Sequence, residues 1–474
     1  MLFCSEQFLV FFTLVFVLYW AMPWHRARVF LLLVASFYFY ASWNRWLALI
    51  IGVSTTIDYF VARGMESSAD PRRRKLLLSV TVIGNLALLC YFKYANFFLH
   101  SVEEALKAMG STSSMPVLQV ILPIGISFYT FEAINYGVDV YRRHVPAERN
   151  LFHFMLFITF FPHLVAGPIV RARDFLPQIN RRKHWDWARM QLGVQFFLMG
   201  LFKKLAVADR MAMYADPVFA NPEQYRTTAV WLAVLAYAVQ IYCDFSGYTD
   251  MALGTAHMLG FKLARNFDMP YASANISEFW RRWHISLSSW LRDYLFIPLG
   301  GSRGTGWQTN RNLLITMTLG GLWHGASWTF VIWGVIHGLV LIGHRYFRSF
   351  CQARPKLNDA LLTPPGTAIR IALTFLTVSL AWIFFRATTF SCAMTMFSRM
   401  FVKAQGYGPP MAKDSLLILT AVVIAAHAFA LSGVWKKWSV RMPAPVLGMS
   451  YAVLLTITLV LAPDAGKAFI YFQF

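Results

Sequence analysis

Histidine 324 stands in the run LLITMTLGGLWHGASWTFVIWG, flanked by Trp323 and Gly325 and embedded among apolar and small residues. An imidazole is the side chain best suited to exchange a proton near neutrality. Among Gly320, Gly321, Trp323, Trp328 and Trp333 it is expected to stay neutral, the form that accepts a proton. Two uses fit that position: a structural hydrogen bond to a neighbouring helix, or a general base in a site that excludes water. His337 follows thirteen residues later. On one straight helix the two rings would lie about 140° apart, and neither has an Asp or Cys companion. His337 is therefore expected to pack, and no metal site is expected. Glu132, Asp244 and Asp250 lie in or beside apolar runs. Facing lipid would cost each about 2.5–3.5 kcal/mol, so they should turn inward, pairing with loop arginines or lining a cavity. No GxSxG, Walker A, HExxH or dinucleotide fingerprint occurs, which leaves a serine hydrolase, an ATPase and a zinc protease without support.

The element just upstream of His324 is ANISEFWRRWHISLSSWLRDYLFIPLGG. Asn275 with Glu278 three residues on reads as a capping box, predicting a helix to about Tyr294. On that helix Phe279, Trp280, Trp283, Leu287, Trp290, Leu291 and Tyr294 share one face. Arg281, Arg282, Ser286, Ser288, Ser289 and Arg292 share the other, and His284 falls on the seam. Such a division predicts a helix lying in a membrane interface. Arg281, Arg282, Ser288 and Arg292 are its candidates for holding an anionic ligand, with anionic lipid as the alternative partner. The next segment, from Leu313, is apolar enough to enter a bilayer. Its pairs Gly321/Gly325 and Gly334/Gly338 have the spacing of close helix packing. His324 lies about 20 Å beyond Arg311 along a helix, deep in a hydrocarbon core about 30 Å thick.

These elements belong to a membrane protein. Hydrophobic residues make up 57% of the 474, charged residues 14%, and apolar runs recur from end to end, which leaves no stretch polar enough for a large soluble domain. The five cysteines are scattered without a CxxC, so neither a disulfide framework nor a zinc site is indicated. The net charge of +21 sits between the spans, as cytoplasmic loops on anionic lipid require, and nucleic acid is not the expected partner.

Charge asymmetry orients the spans. Phe8–Met22 lacks the basic start of a signal peptide, and the loop Arg63–Lys75, with PRRRK, must be cytoplasmic. Leu76–Phe98 leads outward and the acidic stretch 99–114 suits the outside. Leu151–Gly167 has basic residues on both flanks, so a re-entrant or half-depth segment beside a cytoplasm-facing cavity is expected. Further runs are Pro116–Tyr141, Gln191–Val207, Thr227–Tyr242, a hairpin Leu313–Trp328/Thr329–Ile342, and three near the C-terminus, Ala368–Phe385, Leu416–Leu431 and Pro445–Leu461. The expectation is an all-α polytopic membrane protein of roughly ten to twelve transmembrane helices. Re-entrant and interfacial helices join them in one domain over 1–474: N-terminal spans (1–150), a core (151–350) and C-terminal spans (351–474).

The runs QIYCDFSGYTDMALG (240–254), RNFDMPYASANISEFWRRWHISLSSWLRDYLFIPLGG (265–301) and LWHGASWTFVIWGVIHG (322–338) resemble the membrane-bound O-acyltransferase family, in its bacterial polysaccharide-modifying branch. FYFYASWN (37–44), LPIGISFYTFEAINYGVDVYR (122–142) and FPHLVAGPIVR (161–171) extend the resemblance over most of the chain. It implies helices around a funnel, acyl transfer from a thioester to a hydroxyl, His324 as principal catalytic residue and His284 as a second polar position. It further implies acetyl-CoA as donor, no bound cofactor, and the bacterial cytoplasmic (inner) membrane. The acceptor pathway would lead to an exported polysaccharide such as alginate, through a periplasmic SGNH-type acetyltransferase or a similar partner. D-alanyl transfer from a carrier protein and a polysaccharide or lipid transporter with a structural histidine are the rival readings.

Overall fold

Several of the apolar runs become helices with a Ser, Asn, Asp or Thr cap at their start. Ser5 Oγ accepts from the Phe8 amide, Asn44 Oδ1 from Trp46 and Leu47, and Asp70 from Arg72 and Arg73 ahead of Pro71. Thr305 and Gln308 form a reciprocal capping box, and Ser327 caps the helix after His324. Each cap supplies an acceptor to amides with no partner inside the helix. The computed structural model describes residues 1–112, 114–165, 167–434, 438, 442–463 and 469.

The helices are α1 (Glu6–Ala21), α2 (His25–Ala41), α3 (Arg45–Ser67), α4 (Pro71–Ala108), α5 (Ile126–Tyr141), α6 (Leu151–Thr159), α7 (Phe161–Leu164), α8 (Ala172–Asn180), α9 (Trp187–Ala220) and α10 (Thr227–Met258). They continue with α11 (Ile276–Arg282), α12 (Ile285–Leu291), α13 (Gly306–His324), α14 (Trp328–Gln352), α15 (Pro355–Leu362), α16 (Pro364–Arg386), α17 (Phe390–Phe401), α18 (Lys413–Ser432) and α19 (Ala444–Leu461). Among the described residues there is no strand, only an isolated Tyr225–Tyr407 bridge. Among the described residues eight helices, α3, α4, α9, α10, α14, α16, α18 and α19, are long and apolar enough to cross a membrane. The protein is an all-α, multi-pass membrane protein. The helices at three other expected runs, α1, α5 and α13, have 16, 16 and 19 residues, and α2 has 17.

Three helices outrun the apolar segments that mark them: α4 has 38 residues, α9 34 and α10 32. The expected outer loop 99–114 is helical to Ala108, where the i,i+4 pair Glu103–Lys107 closes at 2.8 Å. The polar stretch after Tyr242 stays helical as well. In it Thr255 Oγ donates back to the Met251 carbonyl, and Asp244 meets the Lys204 ammonium at 2.6 Å. Lys204 also holds Asp209 at 2.8 Å, all three groups being buried. Asp244 thus pairs with a lysine of α9, where a loop arginine was expected.

The chain divides into two compact units, Met1–Phe197 with Thr249–Ala264, and Leu198–Tyr248 with Arg265–Phe474. In the first, Phe8, Phe39 and Phe161 interlock with ring centroids 5.8–6.4 Å apart. The 151–167 segment is broken at Phe160: α6 has nine residues, about 14 Å of helix, half a bilayer core. Glu132 does not meet an arginine. Its Oε1 accepts from the Val170 amide at 2.9 Å and lies 3.3 Å from His163 Nδ1, while Asn135 Nδ2 donates to the Val170 carbonyl at 3.2 Å. One turn of α5 therefore clasps both sides of the Val170 residue. In the second unit α13 and α14 form the expected hairpin. A Cβ on Gly321 would meet the Phe330 carbonyl at 2.3 Å, and one on Gly334 the Met317 carbonyl at 2.3 Å. Only glycine permits this approach of two helix backbones.

Candidate active site

His324 is the last residue of α13, and the chain turns at Gly325, where a Cβ would strike the Phe330 ring at 2.1 Å. The turn leaves the imidazole 3% exposed, walled by rings of four other residues. Trp323 lies at 5.0 Å between centroids, Trp333 at 5.1 Å and perpendicular, Phe385 at 5.2 Å, and His284 at 6.3 Å. The two histidines lie side by side in the interior of the second unit. Their rings are too far apart to bond each other directly.

His284 reaches this place by a departure from the expected helix. Asn275 caps as anticipated, its Oδ1 accepting from the Glu278 amide at 2.9 Å, with the Glu278 carboxylate taking the Ala274 amide at 3.0 Å. The helix nevertheless ends at Arg282, and His284 adopts a left-handed backbone, φ 42 and ψ 55, before α12 begins. A non-glycine residue in that region costs about 1–3 kcal/mol and persists only where its surroundings enforce it. The kink replaces a straight amphipathic rod by two short helices of seven residues each. Their apolar face, Phe279, Trp280, Trp283, Leu287, Trp290 and Leu291, is buried inside the protein, where an interfacial helix would have shown it to lipid. His284, expected on the seam, is fully buried.

Asn266, which the sequence reading passed over, encloses this kink. Its backbone carbonyl accepts from the Ile285 amide at 2.9 Å. Its Oδ1 lies 3.0 Å from His284 Nδ1, 3.2 Å from the Ser286 amide and 2.9 Å from Ser286 Oγ. His284 Nδ1 and Asn266 are eighteen residues apart, so no local pattern announces the pair. Burial pushes the His284 imidazole down to about 3, so the ring is neutral at physiological pH.

His337 is buried and packs on Trp333 at 4.7 Å, Trp280 at 5.1 Å and Phe279 at 6.4 Å. Packing is what the sequence led one to expect, yet among the described residues both its ring nitrogens lack a hydrogen-bond partner, as do Trp280 Nε1 and Trp333 Nε1. Buried polar atoms without partners are rare, and each costs about 1–3 kcal/mol. Several of them gather here beside His324.

Of the four donor-binding candidates on the α11–α12 segment, three are engaged otherwise. Arg282 makes a 2.9 Å pair with Glu278, Arg292 a 2.8 Å pair with Asp293, and Ser288 Oγ donates to the Trp283 carbonyl at 3.1 Å. Arg281 instead belongs to a different group. Ser277 and His344 Nδ1 meet at 3.3 Å, joining α11 to α14, and the charges of Arg348, Arg281 and Arg370 all bear on His344. Arg370 Nε is buried and has no hydrogen-bond partner among the described residues. Trp333, His337, His344 and Arg348 fall within about 60° on one face of α14. From Trp333 to Arg348 that face rises about 22 Å.

A match to the family described as MBOAT, membrane-bound O-acyltransferase, runs over residues 78–386, which takes in both histidines and every element of this pocket. The chain belongs to the membrane-bound O-acyltransferase family. It is thus an O-acyltransferase. It is 40% identical to the probable alginate O-acetylase AlgI of Azotobacter vinelandii over all of both chains. It is also 44% identical to that of Pseudomonas aeruginosa, over 85% of this chain and 75% of the other. The peptidoglycan O-acetyltransferase of Helicobacter pylori is 38% identical, over 78% and 73%.

Proposed function

We propose that this acyltransferase moves an acetyl group from acetyl-CoA toward hydroxyls of an exported polysaccharide, with His324 as general base. The relatives named as O-acetylases support acetyl as the group. A teichoic acid D-alanyltransferase of Bacillus subtilis, 27% identical over 58% of this chain, makes D-alanyl transfer the second reading. The observation that carries the proposal is two buried imidazoles beside a line of N–H groups that lack partners among the described residues and lead to a basic cluster. That line suits a phosphopantetheine thioester: phosphates at Arg281, Arg348, Arg370 and His344, arm amides at Trp280, His337 and Trp333, thioester at His324.

In the reaction the acceptor hydroxyl oxygen attacks the thioester carbonyl carbon while His324 takes its proton. Collapse of the tetrahedral species breaks the C–S bond, and the departing thiolate receives that proton, giving free coenzyme A and an O-acetyl ester. General-base assistance supplies about 10²–10⁴-fold, and positioning with exclusion of water supplies the rest. The bacterial cytoplasmic membrane is the proposed location and a periplasmic SGNH-type transferase the proposed relay to the polymer. The test is transfer of radiolabelled acetyl from acetyl-CoA by purified His324→Ala and wild-type protein. The expected result is a kcat at least about 100-fold lower with detergent melting unchanged. Substantial transfer by well-folded His324→Ala protein overturns the base assignment.

A further inference from the structure

The hydrogen bonds around Asn266 settle which nitrogen of His284 carries the proton. A backbone N–H can only donate, and the Ser286 amide points at the Asn266 side chain from 3.2 Å. The amide oxygen, not the nitrogen, must therefore occupy that position. An amide oxygen can only accept, so His284 Nδ1, 3.0 Å from the same atom, must be protonated. In a neutral imidazole with hydrogen on Nδ1 the lone pair is on Nε2. The arrangement is costly to the protein: Asn266 is fully buried, and among the described residues its Nδ2 has no partner. The same four bonds hold the left-handed backbone at His284.

We infer that Asn266 is a positioning residue of the acyltransferase, locking His284 into the tautomer that presents Nε2 as a proton acceptor. The buried pocket then contains a second acceptor whose orientation is fixed before substrate arrives. His284 can take a hydrogen bond from the acceptor hydroxyl as that group approaches His324, aligning its oxygen for attack. The consequence for transfer rests on the acyl-transfer reading; the tautomer does not. Among the described residues, Asn266, Phe245, Phe267, Trp323 and His324 face His284.

Two measurements test this. The first is ¹⁵N spectroscopy of histidine-labelled protein, with the His284 signals assigned by their loss in His284→Ala. The expected spectrum shows a protonated Nδ1 and a bare Nε2; a protonated Nε2 overturns the assignment whether or not transfer is ever detected. The second is Asn266→Asp, which keeps an acceptor oxygen for all three donors but sets a carboxylate beside the imidazole. Such a neighbour favours imidazolium by about one to three pH units. The acid limb of kcat should move to higher pH by that amount, with the KM for acetyl-CoA unchanged and melting near wild type. Asn266→Ala, which releases the ring, should lower kcat with no such displacement. An Asn266→Asp protein that is folded and has the wild-type pH profile refutes the positioning role.

Discussion

At the scale of single residues, His337 sets function against stability. Its imidazole packs among aromatic rings, yet among the described residues both nitrogens are buried without partners, a cost an apolar ring in its place would avoid. His337→Phe is therefore expected to raise the melting temperature, by the equivalent of about 1–3 kcal/mol. If the ring serves the pantetheine amides, the same change raises the KM for acetyl-CoA while kcat stays within a few-fold. Calorimetry with donor titration checks both, and a stabilised protein with unchanged KM removes His337 from the donor path. His324 was legible because a lone imidazole in an apolar run is conspicuous in any arrangement. His284 was found but misplaced, since nothing in RRWHISL marks a left-handed residue. Asn266 was missed altogether, because its role exists only once residues eighteen positions apart are brought together.

At the scale of elements, capping chemistry and glycine spacing were legible, being local. Asn275 starts α11 and the Gly321–Gly334 approach joins α13 to α14 as the spacing required. The kink after Arg282 was not, because it answers to tertiary bonds rather than to helix periodicity. Buried carboxylates were correctly turned inward, but their partners proved to be His163 and Lys204, again distant in sequence. Glu132 shows what such a group does for an element. With Asn135 it fixes the Val170 backbone that follows the broken α6–α7 segment. Glu132→Ala leaves the Val170 amide buried without an acceptor, a loss of about 1–3 kcal/mol. Glu132→Gln retains an oxygen there and should be nearly neutral. Limited proteolysis and melting compare the two, and equal stability of both variants would mean that the clasp is dispensable.

At the scale of the whole molecule, composition made the membrane class plain, whereas helix length was harder to read. A helix continues past its apolar stretch whenever polar side chains find partners, as α4, α9 and α10 do. The proposed sidedness of the reaction follows from charge. Coenzyme A is cytosolic and anionic, and the basic cluster of Arg281, Arg348 and Arg370 gathers about 22 Å along α14 from the Trp333 that walls His324. Only the pantetheine arm could span that distance, which leaves the acceptor hydroxyl to arrive from the opposite face. Proteoliposomes of known orientation decide this, with acetyl-CoA on one face and acceptor on the other. Transfer is expected across the bilayer, with Arg281→Gln and Arg348→Gln each raising the donor KM. The wild-type donor KM should also rise with salt, because exposed guanidinium–phosphate attraction is screened within about 10 Å at 0.1 M. Transfer only when donor and acceptor share a face would refute the crossing while leaving acyl transfer intact. A donor KM indifferent to salt and to both substitutions would instead return these arginines to anionic lipid.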